Sequence, residues 1–117
     1  MKIFFKGTMT AIVLSLLGAS VALAHTRLAS SLPADEAQLS AAPQEITLQF
    51  SEAVRLTVVA LQTPGGSEPL EPGSTDAATE FEVALPALAA GEYLVQWRAV
   101  SADTHVISGE IRFTITG

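Results

Sequence analysis

The sequence predicts an all-β protein, a two-sheet antiparallel β-sandwich with Greek-key connections, and three observations carry that expectation. Several short runs alternate apolar and polar side chains with the period of two that a half-buried strand requires. Turn-forming Pro, Gly, Ser and Asp clusters separate these runs at short intervals, and no stretch shows the period of a convincing amphipathic helix.

Residues 1–24 stand apart from that pattern. Lys2 and Lys6 make a short basic start, Ala11–Leu17 an apolar centre and Ala22-Leu23-Ala24 a small-residue exit, the layout of a secretory signal. The apolar centre is short and interrupted by Gly and Ser, a poor match to a membrane span of about 20 residues. The expected division is a signal peptide over 1–24 and one small domain over 25–117, 93 residues long. An uncleaved anchor is the alternative, and it would leave no free amine at residue 25.

Within 25–117 the elements follow in order. Ala34–Gln38 has room for one helical turn and nothing longer. Ile46-Thr47-Leu48-Gln49-Phe50 alternates as a strand with one buried face. Val54–Leu61 is more continuously apolar, as expected of a strand buried on both sides or of a twisted one near a bulge. Residues 62–80 contain Pro64-Gly65-Gly66 and Glu71-Pro72-Gly73-Ser74 and are expected to be a loop with at most a short strand. Phe81–Leu85 alternates again. Gly91 opens a longer run in which Tyr93, Val95, Trp97 and Ala99 share one face, with Gln96 and Arg98 opposite; Trp97 is therefore expected in the core, and Arg98 is available to one of the many acids. Ile111–Ile115 is the last alternating strand.

Charge and composition narrow the function. Removal of residues 1–24 takes away both lysines and leaves four arginines against twelve acids, a net charge of −8. Such a surface repels nucleic acid and anionic membranes and favours cations or basic partners. The chain has no cysteine, which removes disulfides, thiolate metal sites and cysteine nucleophiles. No serine has a nucleophile–base pair visible in the sequence, so hydrolytic chemistry has little support.

The histidines point to a metal. Cleavage after Ala24 makes His25 the first residue, with a free α-amine; the remaining histidine, His105, sits in Asp103-Thr104-His105, where alternate residues of an extended segment share a side. The amine and imidazole of His25, the imidazole of His105 and the carboxylate of Asp103 can then converge. The amine and Nδ1 of one histidine close a six-membered chelate ring, and the other two donors complete a tetragonal N₃O plane that suits Cu(II), where zinc would want a tetrahedron. Taken singly, His105 reads as an ordinary loop histidine and Asp103 as a turn former. A histidine at a randomly placed cut would occur in about 2 of 93 cases.

The chain also resembles a known family. His25 at the mature terminus, Leu28-Ala29-Ser30-Ser31-Leu32-Pro33-Ala34, Ile46–Glu52, the stretch Tyr93–His105 with its Trp97-Arg98-x-Val100-Ser101-x-Asp103-x-His105 pattern, and Ser108-Gly109 together resemble the CopC family of periplasmic copper-binding proteins over the whole mature chain. The resemblance implies an immunoglobulin-like, cupredoxin-like sandwich that binds one Cu(II) per mature chain in the periplasm. It places the ligands on His25, Asp103 and His105, with Glu52 beside the site as a weak or hydrogen-bonded neighbour. A membrane copper transporter is the partner it suggests, and no substrate is implied. Two departures stand out. The methionine-rich Cu(I) loop of some members has no counterpart, because the only methionines are Met1 and Met9, and Val106 stands where the family often has proline. Two other functions compete with copper sequestration or delivery: an oxidative copper enzyme built on a histidine brace, and an immunoglobulin-like partner-binding module in which His25 is incidental. Asp103 would tend to fill the open position that an oxidative centre needs.

Overall fold

The computed structural model describes residues 26–117, and every regular element among them is a β-strand. In chain order these are β1 (Leu28–Leu32), β2 (Ala37–Leu39), β3 (Glu45–Thr63), β4 (Gly66–Leu70), β5 (Ala78–Ala84), β6 (Gly91–Ser101) and β7 (Val106–Ile115).

The long strand β3 organises the sandwich. Its first half pairs antiparallel with β1 on one side and with β5 on the other. Its second half pairs antiparallel with β4 and β6, and β6 in turn with β7 along its length. The two halves thus belong to two layers, and the strand passes from one to the other at Ser51-Glu52-Ala53, three consecutive exposed residues between buried Phe50 and Val54. Strands that change sheets in this way make the corners of sandwiches. The neighbour order β1-β3-β6-β7-β2 is consistent with Greek-key winding.

Alternation explains which faces meet. Ile46, Leu48 and Phe50 of β3, Phe81 and Val83 of β5, Tyr93, Val95, Trp97 and Ala99 of β6, and Ile111, Phe113 and Ile115 of β7 form one continuous core with the second half of β3. Each fully buried aliphatic or aromatic side chain of this kind contributes about 1.5–3 kcal/mol. Between Leu56 and Val58 the register with β6 shifts, so that the inward positions step from Leu56 to Val59 and leave Val58 outside. A bulge, rather than burial on both sides, is therefore the reason for the unbroken apolar run there.

Trp97 lies in the core as expected, edge-on to Phe50 with ring centroids 5.2 Å apart. Gly109, its cross-strand partner on β7, makes room for it: a Cβ at position 109 would come within 2.7 Å of the indole. Tyr93 stacks on Phe113, and its hydroxyl donates to the Ala89 carbonyl at 2.6 Å, a corner that ties the entry of β6 to the preceding loop.

Three expectations need correction. Not every pairing is antiparallel, since β2 runs parallel to β7. The cause is local: Glu36 N–H donates to the Arg112 carbonyl and Arg112 N–H to the Asp35 carboxylate, so the chain is already fastened to the free edge of β7 when β2 begins. The 34–38 segment is likewise not a helical turn; Ala37 N–H bonds back to Ala34, but Glu36 adopts a left-handed φ of 67° and the chain leaves as a strand. Residues 62–80 hold more structure than a loop, with β4 closing a hairpin on β3 through Pro64-Gly65 and β5 starting at Ala78.

Candidate metal centre

The site is built where the β3–β6–β7 ladder ends. Val54 of β3 pairs with Ser101, the last residue of β6. Two residues back along β3 lies Glu52 and two residues on from Ser101 lies Asp103, so antiparallel pairing carries both past the same end of the sandwich.

Residues 102–105 connect β6 to β7 by a tight turn. Thr104 N–H donates to the Ser101 carbonyl at 2.9 Å, Ser101 N–H donates to the His105 carbonyl at 2.9 Å, and Thr104 takes a left-handed φ of 67°. A turn followed by one left-handed residue is a standard way to close a three-residue hairpin loop. The segment is therefore not extended. Asp103 and His105 nevertheless share a side, because the turn and not a strand pleat brings them together: His105 Nδ1 and Asp103 Oδ2 are 2.9 Å apart.

Both side chains are open to solvent, with about 80% of the His105 side chain and 67% of that of Asp103 exposed. The other carboxylate oxygen, Oδ1, accepts a hydrogen bond from the buried hydroxyl of Ser101. That bond is the main reason the Asp103 carboxyl titrates below its ordinary value; partial desolvation opposes it, and the hydrogen bond and charge of His105 add to it. Ser101 belongs to the Trp97–His105 pattern, which by itself gives it no role. Its signal was present, two positions before Asp103, yet only the turn shows that its hydroxyl faces the carboxylate.

The donor chemistry suits a divalent cation of the nitrogen- and oxygen-binding type. Two donors about 2.0 Å from one metal and at right angles to each other lie about 2.8 Å apart, close to the spacing of the Asp103–His105 pair. Asp103 keeps lone pairs beyond those used by Ser101 and His105. Among the described residues no third histidine, aspartate or glutamate joins the two into a cluster. The remaining expected donors belong to His25, which lies outside the described residues.

Glu52 sits at the β3 corner, on the strand that receives the start of the domain. Its carboxylate accepts from the Thr26 hydroxyl at 3.4 Å, and next to it Arg27 and Ser51 are joined by two hydrogen bonds, Arg27 N–H to Ser51 Oγ at 3.0 Å and Ser51 N–H to the Arg27 carbonyl at 2.9 Å. Among the described residues nothing ties Glu52 directly to Asp103 or His105. Arg98, on the outer face of β6, makes no ion pair among the described residues.

Comparison with known proteins places this arrangement. The CopC domain family model matches residues 28–116, almost the whole described chain. The chain belongs to the CopC family. It is 35% identical over 111 residues to copper resistance protein C of Pseudomonas syringae pv. tomato, covering 86% of this chain and 87% of that protein. It is 36% identical over 107 residues to copper resistance protein C of Escherichia coli, covering 80% and 83% respectively. Among solved structures, CopC of Methylosinus trichosporium OB3b superposes with a TM-score of 0.66 at 25% identity, over 79% of this chain and 94% of that one. PcoC of Escherichia coli, described as a methionine-rich copper resistance protein, superposes with a TM-score of 0.59 at 33% identity, over 80% of this chain and all of that one. The all-β sandwich of the CopC family is thus the fold of this chain.

Proposed function

We propose that this CopC-family chain is a periplasmic Cu(II)-binding protein of copper homeostasis and resistance, which sequesters or delivers the ion and carries out no catalytic step. The observation that carries the reading is the Asp103–His105 pair, held 2.9 Å apart on a tight turn at the end of the sandwich to which the corner at Glu52 also belongs. Thr26, the residue after His25, is hydrogen-bonded to Glu52 at that corner, so the segment that follows His25 starts at the same end and runs from there along β3.

In this reading the chain is cut after Ala24, and the amine and imidazole of His25 join His105 and Asp103 around one copper ion per mature chain. Glu52 holds the segment beside the ion and serves as a neighbour rather than a main ligand. The copper-resistance names of relatives in Pseudomonas syringae and Escherichia coli support copper as the cargo. Nitrogen and oxygen donors without sulfur suit the oxidised ion, and Cu(II) stands at the top of the divalent series for such sites. PcoC is described as methionine-rich, whereas here the only methionines are Met1 and Met9, so no thioether is available to hold Cu(I) after cleavage. The recipient or donor of copper is a membrane copper transporter.

Electron paramagnetic resonance of the one-to-one complex tests the reading. An axial type 2 Cu(II) signal with nitrogen coupling is expected, and His105→Ala should remove part of that coupling and weaken binding steeply. Equal affinity and identical spectra for the two proteins would overturn it.

A further inference from the structure

Ser101 is the sole buried polar side chain among the described residues, and it stands at the last position of β6, where the ladder stops and the turn begins. Its backbone N–H already satisfies the His105 carbonyl at 2.9 Å, and its hydroxyl lies 3.3 Å from that same oxygen. A hydroxyl has one proton to give. An ionised carboxylate is the stronger acceptor, and the hydroxyl points to Asp103 Oδ1.

Asp103 has few other restraints. It is largely exposed, on a turn, and its second side-chain partner is His105, whose hydrogen bond to Oδ2 is given up once a cation takes both groups as ligands. A short carboxylate side chain with one oxygen free to rotate would present either oxygen, or neither, to an ion. The Ser101 hydroxyl removes that freedom. It anchors Oδ1 from the buried side of the sheet and leaves Oδ2 facing the His105 ring. We propose that Ser101 is a positioning residue of the copper site, fixing the plane of the Asp103 carboxylate so that Oδ2 is ready to ligate. The proposal rests on the copper reading given above, and it assigns to the end of a buried strand the task of orienting an exposed ligand.

The test is a double-mutant cycle on the mature protein beginning at His25, using Ser101→Ala, Asp103→Asn and the pair together. Each protein competes for Cu(II) against a chelator of known affinity, and the spectrum of each one-to-one complex is recorded. Loss of a hydrogen bond that orients a ligand typically weakens metal binding about 10–100-fold, and Ser101→Ala is expected near the lower end, about tenfold. Its complex should also show altered copper hyperfine splitting, and in the Asp103→Asn background the same change should cost little further. An equal loss in both backgrounds would mean that Ser101 merely supports the fold, and unchanged affinity and spectrum would mean that it has no part in the site; either result overturns the proposal. His105→Ala separates the two levels. If it leaves Cu(II) affinity intact the copper reading itself fails, whereas if it abolishes binding while Ser101→Ala does nothing, only the role of Ser101 is wrong.

Discussion

Asp103 owes its low titration first to a neighbour in the buried end of β6. The hydrogen bond from Ser101 favours the ionised carboxylate, and His105 adds a further bond and charge. The sign follows directly: a carboxyl held below its ordinary value is ionised at neutrality, and what its partners contribute to stability is present above the ordinary carboxylate range and lost as pH falls through the lowered value. In the copper-free protein, carbon-13 NMR titration should place Asp103 below other exposed aspartates, and Ser101→Ala should move it upward. Coincident titration curves for the two proteins would contradict the hydroxyl as the leading cause. In the proposed site copper uptake follows other groups. Imidazoles, with ordinary values of about 6.5, and the α-amine, at about 7.7–8.0, must lose protons to ligate, so apparent Cu(II) affinity should climb from about pH 5 to about pH 8 and then level off. A flat profile across that interval in a competition titration would exclude those donors.

At the scale of elements, the tight fit of Trp97 over Gly109 is the most exposed to test. A methyl group at residue 109 would come within 2.7 Å of the indole, and Phe50, edge-on to the same ring, limits how far Trp97 can yield. Gly109→Ala should therefore cost about 1–3 kcal/mol in urea unfolding, the usual cost of overpacking. A stability equal to that of the wild type would mean that the β6–β7 pairing gives way more easily than its register implies. The strands with one buried face were legible in the sequence because Ile46–Phe50, Phe81–Val83, Tyr93–Ala99 and Ile111–Ile115 carry the period of two. Strand β4 was not, since Gly66-Ser67-Glu68-Pro69-Leu70 is exposed almost throughout and an edge strand with no buried face leaves no pattern. The parallel β2 was hidden for a different reason: its direction is set by contacts of the Asp35 carboxylate and the Glu36 N–H with the Arg112 backbone, and pairing between residues so distant in sequence has no local signature. Asp103 and His105 were legible as a pair, although the cause of their meeting is the left-handed turn at Thr104 and not an extended segment.

The whole molecule reads as a rigid scaffold with its chemistry at one end. Two layers share β3, the core is closed by alternating strands, and the corner of that shared strand receives the start of the domain through Thr26, Arg27, Ser51 and Glu52. In the proposed site the β6–β7 turn contributes Asp103 and His105, and the remaining donors depend on where the chain is cut. An acidic surface, with four arginines against twelve acids over residues 25–117, draws cations in. The central claim is that a free amine on His25 completes the copper centre. Its most direct measurement is a Cu(II) competition titration, followed by the fluorescence of Trp97, the single tryptophan of the chain, on the protein beginning at His25 and on the same protein with one alanine added before it. The extended protein is expected to bind far more weakly, because the added residue opens the six-membered chelate; identical titrations of the two proteins would contradict the claim.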